Sequence, residues 1–215
     1  MDDERKSARR GYHHGNLREA LIEATRSLIA EKGIAGVTIA DAARAAGVSP
    51  AAPYRHFQNR EELIAETAEA GFIRFADRLA TAWNDGQPSP LSAFEALGRA
   101  YLAFAAEEPE FFAAMFHPSL VAAGGPKGPA GHRAFEVLRR ACADLLATMP
   151  ASNRPPEQVP EQIPEQMMAL HIWALSHGVA SLFAGPGRQR SPISPEELLE
   201  SGVGVYLRGL GFLRD

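Results

Sequence analysis

The spacing of apolar residues near the start of the chain predicts an α-helix. Four apolar residues recur at intervals of four, three and four positions, which places them on one helical face: Leu17, Leu21, Ala24 and Leu28. Asn16 and Glu19 have the spacing of an N-terminal capping box, and Lys32-Gly33 is typical of a helix end. We therefore predict a first helix over 17–32.

The next segment predicts two short helices joined by a tight turn. Thr38 stands in the N-cap position of an alanine-rich helix over 39–46, which Gly47 ends. Ser49-Pro50 supplies an N-cap and a proline at the first helical position, and predicts a helix over 50–57. Two such helices around a short turn that contains Gly form a helix-turn-helix, with the first helix as its packing support.

The remainder of the chain also has helical periodicity. Asn59 and Glu62 predict the start of a longer helix that reaches Trp83. Further helices are predicted over 91–106, 110–116, 132–149, 166–184 and 195–213. The connectors between them are predicted over 84–90, 124–131 and 150–166, and the last of these holds five prolines. Since no segment alternates with a period of two, the predicted fold class is all-α.

Composition limits the classes that this chain can belong to. Its 215 residues are 46% hydrophobic, enough for a sizeable core. One cysteine, Cys142, excludes an intrachain disulfide, and it lies between alanines as a small core residue does. The first residues lack the apolar region of a secretory signal, and no apolar run is long enough to cross a bilayer. We expect a cytoplasmic protein that does not bind membranes.

Charge is distributed unevenly along the chain. Residues 5–60 carry ten Lys or Arg and four Asp or Glu, whereas 61–215 carry twelve and nineteen, within a net charge of −4. A basic head on an acidic body is typical of proteins whose head binds a polyanion. Charge segregation of this size also arises by chance, so by itself it is weak evidence for polyanion binding.

The segment 38–57, TIADAARAAGVSPAAPYRHF, followed by NREEL, resembles the DNA-binding head of the tetracycline-repressor (TetR) family. The resemblance covers roughly 16–75 and implies a three-helix helix-turn-helix head over 15–75, with the motif itself at 38–57. It further implies a larger helical body over 76–215 that forms a homodimer and binds a small-molecule effector. Its expected function is regulation of transcription, most often repression, at a palindromic operator in double-stranded DNA.

Ten residues are the candidates for DNA contact. In a helix-turn-helix the start of the second helix meets base edges, and the two alanines there have only methyl groups to offer thymine methyls. The helix end at Thr38 and the polar side chains of the motif suit phosphates, and Arg55 has the length to reach a base. Basic residues before the first helix suit the minor groove. The candidates are Thr38, Ser49, Ala51, Ala52, Tyr54, Arg55, His56, Arg60, Arg9 and Arg10. Pro53 leaves the placement of the base-contacting residues open.

Aromatic residues in the body are candidates for a ligand pocket, although core packing explains each of them equally well. We expect a small apolar or aromatic effector, neutral or weakly polar, because few charged residues lie among them. No cofactor or metal is predicted. The candidates are Phe72, Phe75, Trp83, Tyr101, Phe104, Phe112, Phe116 and Trp173.

The stretch from His171 to Gly178 also resembles the Trp-His-Gly signature of one TetR subgroup's C-terminal domain, and the segment 11–20 is similar to the N-terminal arm of the same subgroup. Trp173 and His177 share a helical face and His171 does not, which favours packing over a metal site.

The last two predicted helices are the candidates for the dimer interface. They would form a four-helix bundle with their copies. The apolar residues are Met167, Leu170, Leu175, Val179, Leu182, Phe183, Val203, Leu207, Leu210 and Phe212.

Two other classes remain open from the sequence. A small-molecule enzyme would need a catalytic motif, and the chain has no phosphate-binding Gly-rich loop, G-x-S-x-G, HExxH or metal-spaced cysteine cluster. A helical scaffold that binds only proteins would not explain the basic head or the Tyr-x-His-Phe spacing. We therefore predict a DNA-binding regulator and no enzymatic activity.

Overall fold

The computed structural model describes residues 17–118, 120, 128–148, 164–184 and 192–212. Within these ranges the chain forms α-helices and short 3₁₀-helices and contains no strand, so the all-α prediction is confirmed. Predictions for Asn16, for the basic arm with Arg9 and Arg10, and for most of the two long connectors lie outside the described residues.

Eight α-helices are assigned within the described residues. They are α1 (Leu17–Lys32), α2 (Ile39–Ala45), α3 (Arg60–Trp83), α4 (Pro90–Glu107), α5 (Pro109–Met115), α6 (Pro129–Ala147), α7 (Pro164–Phe183) and α8 (Pro195–Gly209). Three 3₁₀-helices lie between them, at Ile34–Gly36, Pro53–Arg55 and Asn84–Gly86. All the predicted helices are present with ends shifted by a few residues, except the one predicted over 50–57.

Prolines explain the shifted helix starts. Helices α4 to α8 each begin at a proline, where the fixed φ angle suits the first helical residue and the missing N–H has no intrahelical acceptor to lose. The predicted connectors 124–131 and 150–166 were therefore wrong at their ends, because α6 begins at Pro129 and α7 at Pro164.

The predicted N-caps close the first turns of their helices. The backbone N–H of Asp41 donates to the Thr38 hydroxyl at 3.1 Å, and that of Glu62 donates to the Asn59 side-chain oxygen at 2.8 Å. Both bonds satisfy amides that have no acceptor within the helix, so these helix starts are specified locally.

The chain forms two compact units. The first comprises the described residues up to Gly71 together with those between Glu110 and Lys127, and the second comprises Phe72–Pro109 and the described residues from Gly128 onward. In the first unit, a Cβ on Gly71 would lie 2.9 Å from the Met115 sulfur, so helix packing there requires glycine. The predicted division at residue 75 remains a prediction.

Candidate functional site

The turn of the helix-turn-helix is built around Gly47. Its φ of +69° lies in the left-handed region that favours glycine. The Gly47 N–H donates to the Arg44 carbonyl at 3.1 Å and the Val48 N–H donates to the Ala43 carbonyl at 3.0 Å. This pair of bonds is a Schellman motif, which ends α2 and redirects the chain into the next segment.

The segment predicted as the second helix of the motif is not an α-helix, so that prediction was wrong. Residues 50–52 form a turn and bend, followed by the 3₁₀-helix Pro53–Arg55. Pro53 has no N–H to donate to the Ser49 carbonyl, and its ring would clash with that carbonyl in an α-helix. The Ala52 N–H donates to it instead, at 3.0 Å, which tightens the backbone into 3₁₀ geometry.

The predicted base- and phosphate-contacting side chains of this segment lie on the surface. Thr38, Ser49, Ala51, Arg55 and His56 are exposed, and Ala52 is half-buried. Tyr54 is 61% exposed, an unusual position for a large aromatic side chain.

The side chains of Tyr54 and Arg55 make no hydrogen bond or ion pair within the described part of the chain, so both are free to bind a partner. Pro53 and Phe57 are buried beneath them and fix the segment to the head.

Arg60 has contacts that the sequence did not predict. Its Nε donates to the Val37 carbonyl at 2.7 Å and its Nη2 donates to the Ile34 carbonyl. The side chain is 31% exposed and also lies 3.5 Å from the Glu61 carboxylate. Arg60 therefore positions the turn that leads into Thr38. The phosphate contact that the sequence predicts for Arg60 remains a prediction.

An ion-pair cluster beside the motif was also missed. The Asp41 carboxylate contacts Lys32 from α1 and Arg44 from its own helix. The Lys32 ammonium, with the Thr38 hydroxyl and the Arg44 guanidinium, lowers the pKa of Asp41 to about 2. Asp41 is therefore ionised at neutral pH and neutralises cationic charge on this face of the head.

Of the eight predicted pocket aromatics, Tyr101 and Trp173 line a cavity of the second unit. Phe72, Phe75, Trp83 and Phe104 also belong to the second unit, where they are buried and do not line this cavity. Phe112 and Phe116 belong to the first unit, where their ring centroids lie 4.9 Å apart. The pocket assignment of these six residues remains a prediction.

This cavity of the second unit has a volume of about 330 Å³. Side chains from α3, α4, α6, α7 and α8 line it, and most of the lining is apolar. Its size and lining are typical of small-molecule sites in proteins. The lining residues include Leu79, Phe94, Leu97, Trp173, Ser176 and Leu199.

A polar pair lies next to this cavity. The Tyr101 hydroxyl and His177 Nδ1 are 3.1 Å apart, and His177 Nε2 lies 3.4 Å from the Ser181 hydroxyl. Burial raises the pKa of the Tyr101 hydroxyl and lowers the pKa of the His177 imidazole. Both side chains are therefore neutral at physiological pH, and the pair adds hydrogen-bonding capacity without charge.

Cys142 is fully buried, and burial raises the pKa of its thiol to about 12. The thiolate that nucleophilic chemistry needs is thus absent at neutral pH, as its sequence position suggested. In the ranges that the structure covers, no three potential metal ligands lie together, and no helix combines the length and hydropathy that crossing a bilayer requires.

A helix-turn-helix with exposed polar side chains, carried by an all-helical chain with an apolar cavity, defines a DNA-binding regulator. Two family models match the sequence: bacterial regulatory proteins of the tetR family over residues 21–67, and the tetracyclin repressor-like C-terminal domain over residues 94–206. The chain belongs to the TetR family of transcriptional regulators. The finer assignment to the Trp-His-Gly subgroup remains a prediction.

Several solved structures are similar to this chain in fold. A protein of unknown function from Rhodococcus sp. RHA1 is 30% identical, with 93% of this chain and 97% of that chain covered and a TM-score of 0.74. A TetR-family transcriptional regulator from Pectobacterium atrosepticum is 22% identical, with coverage of 90% and 93% and a TM-score of 0.66. The fatty acid degradation regulator FadR from Bacillus halodurans is 14% identical, with coverage of 90% and 95% and a TM-score of 0.68. No curated protein matches the chain.

Proposed function

We propose that the chain is a ligand-responsive repressor that binds a palindromic operator as a homodimer in the cytoplasm. The observation that carries this proposal is the exposed, unpartnered pair Tyr54 and Arg55 on a helix-turn-helix whose supporting residues are buried. Regulators of this family are generally non-enzymatic DNA-binding proteins, and we propose no catalytic activity for this chain.

An apolar surface on the last two helices supports the homodimer. The exposed side chains Met167, Leu170, Leu175 and Leu182 lie on α7, and Leu198 and Val205 lie on α8. After Glu165, α7 contains no Asp, Glu, Lys or Arg. An exposed apolar face without charged side chains, as on α7, is typical of an interface between subunits.

The operator is the direct test of the proposal. Selection of bound sequences from random duplex DNA should return an inverted repeat whose half-sites are centred about one helical turn apart, because each head contacts one half-site. A set of selected sequences without internal symmetry would contradict binding by a symmetric dimer.

Arg60 is expected to act both on the fold of the head and on DNA. Arg60→Ala removes two hydrogen bonds to backbone carbonyls and one positive charge, so we expect lower stability of the head and weaker binding to all sequences. The slope of log affinity against log salt should flatten by about one unit. Arg60→Lys is the control, since it keeps the charge and should restore the slope while stability stays reduced. An unchanged slope in Arg60→Ala would limit Arg60 to its positioning role.

Asp41 is expected to weaken DNA binding in the wild-type protein. Asp41→Asn removes the carboxylate that neutralises Lys32 and Arg44, so the affinity for non-specific DNA should rise and the salt slope should steepen by up to about one unit. Asp77→Asn changes the net charge equally in the second unit and should leave the slope unchanged. Equal changes in the two variants would show that only net charge matters.

A further inference from the structure

The residues that line this cavity of the second unit differ in charge according to their exposure. The charged side chains that line it are all exposed: Glu95, Arg99, Glu196, Glu200 and Arg208. Arg99 and Glu200 form an ion pair of 3.7 Å between α4 and α8. The buried part of the lining, in contrast, contains no charged side chain.

Ser176 is the polar side chain that stands out in the buried lining. It is 3% exposed, it lies on α7 between Trp173 and His177, and it borders the cavity. Its hydroxyl makes no hydrogen bond to any residue that the structure describes. The hydroxyl is not fully enclosed, so it can be reached from the cavity, and a ligand hydroxyl or carbonyl placed there can form a hydrogen bond with it.

The buried lining therefore determines which chemical group of a ligand can lie beside Ser176. The buried lining beside Ser176 has no charged side chain that could pair with a charged ligand group, and burial of an unpaired charge is strongly unfavourable. An uncharged hydroxyl or carbonyl would bond with Ser176, while the rest of the ligand packs on Phe94, Trp173 and the surrounding leucines. At about 30 Å³ for each water-sized group, the cavity holds roughly ten non-hydrogen atoms.

We infer that the effector of this regulator is a small, uncharged, mostly apolar molecule whose single hydroxyl or carbonyl group binds the Ser176 hydroxyl. The role of this ligand as an effector rests on the proposed function. Binding of the ligand does not, because it requires only the cavity. Leu79 also lines the cavity, and it belongs to α3, the helix that begins at Arg60 of the helix-turn-helix head.

The experiment uses the fluorescence of Trp173 in the 215-residue chain. Trp83 and Trp173 are the two tryptophans of the sequence, so Trp83→Phe leaves the cavity residue as the single reporter. The probes share one skeleton and differ at one end: butylbenzene, phenylbutanol, phenylbutyrate and phenylbutylammonium. Each is titrated in the Trp83→Phe protein, with and without Ser176→Ala. Ser201→Ala is the matched control, because Ser201 is exposed on α8 and does not line the cavity.

Phenylbutanol should bind more tightly than the other three probes. Ser176→Ala should weaken phenylbutanol about five- to tenfold, to the affinity of butylbenzene, because one hydrogen bond is lost. The same substitution should leave butylbenzene unchanged, and Ser201→Ala should change neither. Ser176→Ala removes only an oxygen without a protein partner, so the fold should be kept.

Three results would overturn the inference. They are tighter binding of phenylbutyrate than of phenylbutanol, equal weakening of phenylbutanol and butylbenzene by Ser176→Ala, and no response of Trp173 to phenylbutanol up to its solubility limit. DNA binding by the Trp83→Phe protein without any probe is measured in parallel. Its absence would defeat the proposed function while leaving the ligand result intact.

Discussion

Leu170→Glu should convert the homodimer into a monomer and lower affinity for a palindromic operator by at least about 30-fold. Leu170 is 48% exposed on the uncharged face of α7. In a two-fold symmetric interface one substitution introduces two carboxylates, one from each subunit, and burial of both without a cation is unfavourable. Since each head contacts one half-site, the monomer loses the second half-site along with the interface.

The oligomeric state and the operator affinity should be measured on the same samples, by light scattering and by titration of a selected operator. Ile73→Glu is the matched control, because Ile73 is 45% exposed on α3, away from the proposed interface. A Leu170→Glu protein that stays dimeric, or an equal loss of dimer in Ile73→Glu, would place the interface elsewhere.

Phe75→Ala should lower the free energy of unfolding by about 3–5 kcal/mol. The Phe75 ring is fully buried, and its centroid lies 5.0 Å from Tyr101, 5.0 Å from Phe104 and 5.9 Å from Trp173. Removal of the ring leaves a void among side chains that cannot all move into it. This result would separate core packing from the ligand-contacting role that the sequence predicted for Phe75.

Urea unfolding followed by circular dichroism at one fixed protein concentration measures this loss. Ile73→Ala, two residues earlier on the same helix and exposed, should change the free energy of unfolding by less than about 0.5 kcal/mol. A loss below about 1 kcal/mol in Phe75→Ala would indicate that the ring faces an open pocket instead of a packed core.

The helices of the head could be predicted because their ends are specified by nearby residues. Thr38 and Asn59 bond to amides three positions later, and Gly47 supplies the left-handed turn. Each of these interactions spans only a few residues, so the sequence pattern contains all the participants. The error over 50–57 had an equally local cause. The missing N–H and the ring of Pro53 change the predicted α-helix to 3₁₀ geometry.

The cavity could not be predicted in the same way, because its lining depends on contacts between distant helices. Phe75 and Trp173 are both aromatic residues in helices, and only tertiary packing makes one a core residue and the other a cavity residue. Ser176 has no distinguishing pattern in the sequence. Its importance comes from the place of its hydroxyl on the lining of the cavity, which is a property of the folded chain.

Packing within the chain separates the residues predicted for the dimer interface into buried and exposed ones. The apolar character of α7 extends around the helix, so the sequence could not separate its two faces. In the structure Val179 and Leu207 are buried within the chain, whereas Met167, Leu170 and Leu182 stay exposed. The exposed set is the one on which the homodimer proposal now rests.

Titration of this chain with duplex DNA at several salt concentrations tests whether the helix-turn-helix is the DNA interface. Log affinity should fall linearly with log salt, and Arg55→Ala should flatten this slope by about one unit because Arg55 is exposed and unpartnered on the helix-turn-helix. Arg140→Ala removes the same charge from an exposed position on α6 of the second unit and should leave the slope unchanged. Absence of DNA binding at low salt, or the same slope in the wild type and Arg55→Ala, would contradict a DNA interface at this segment.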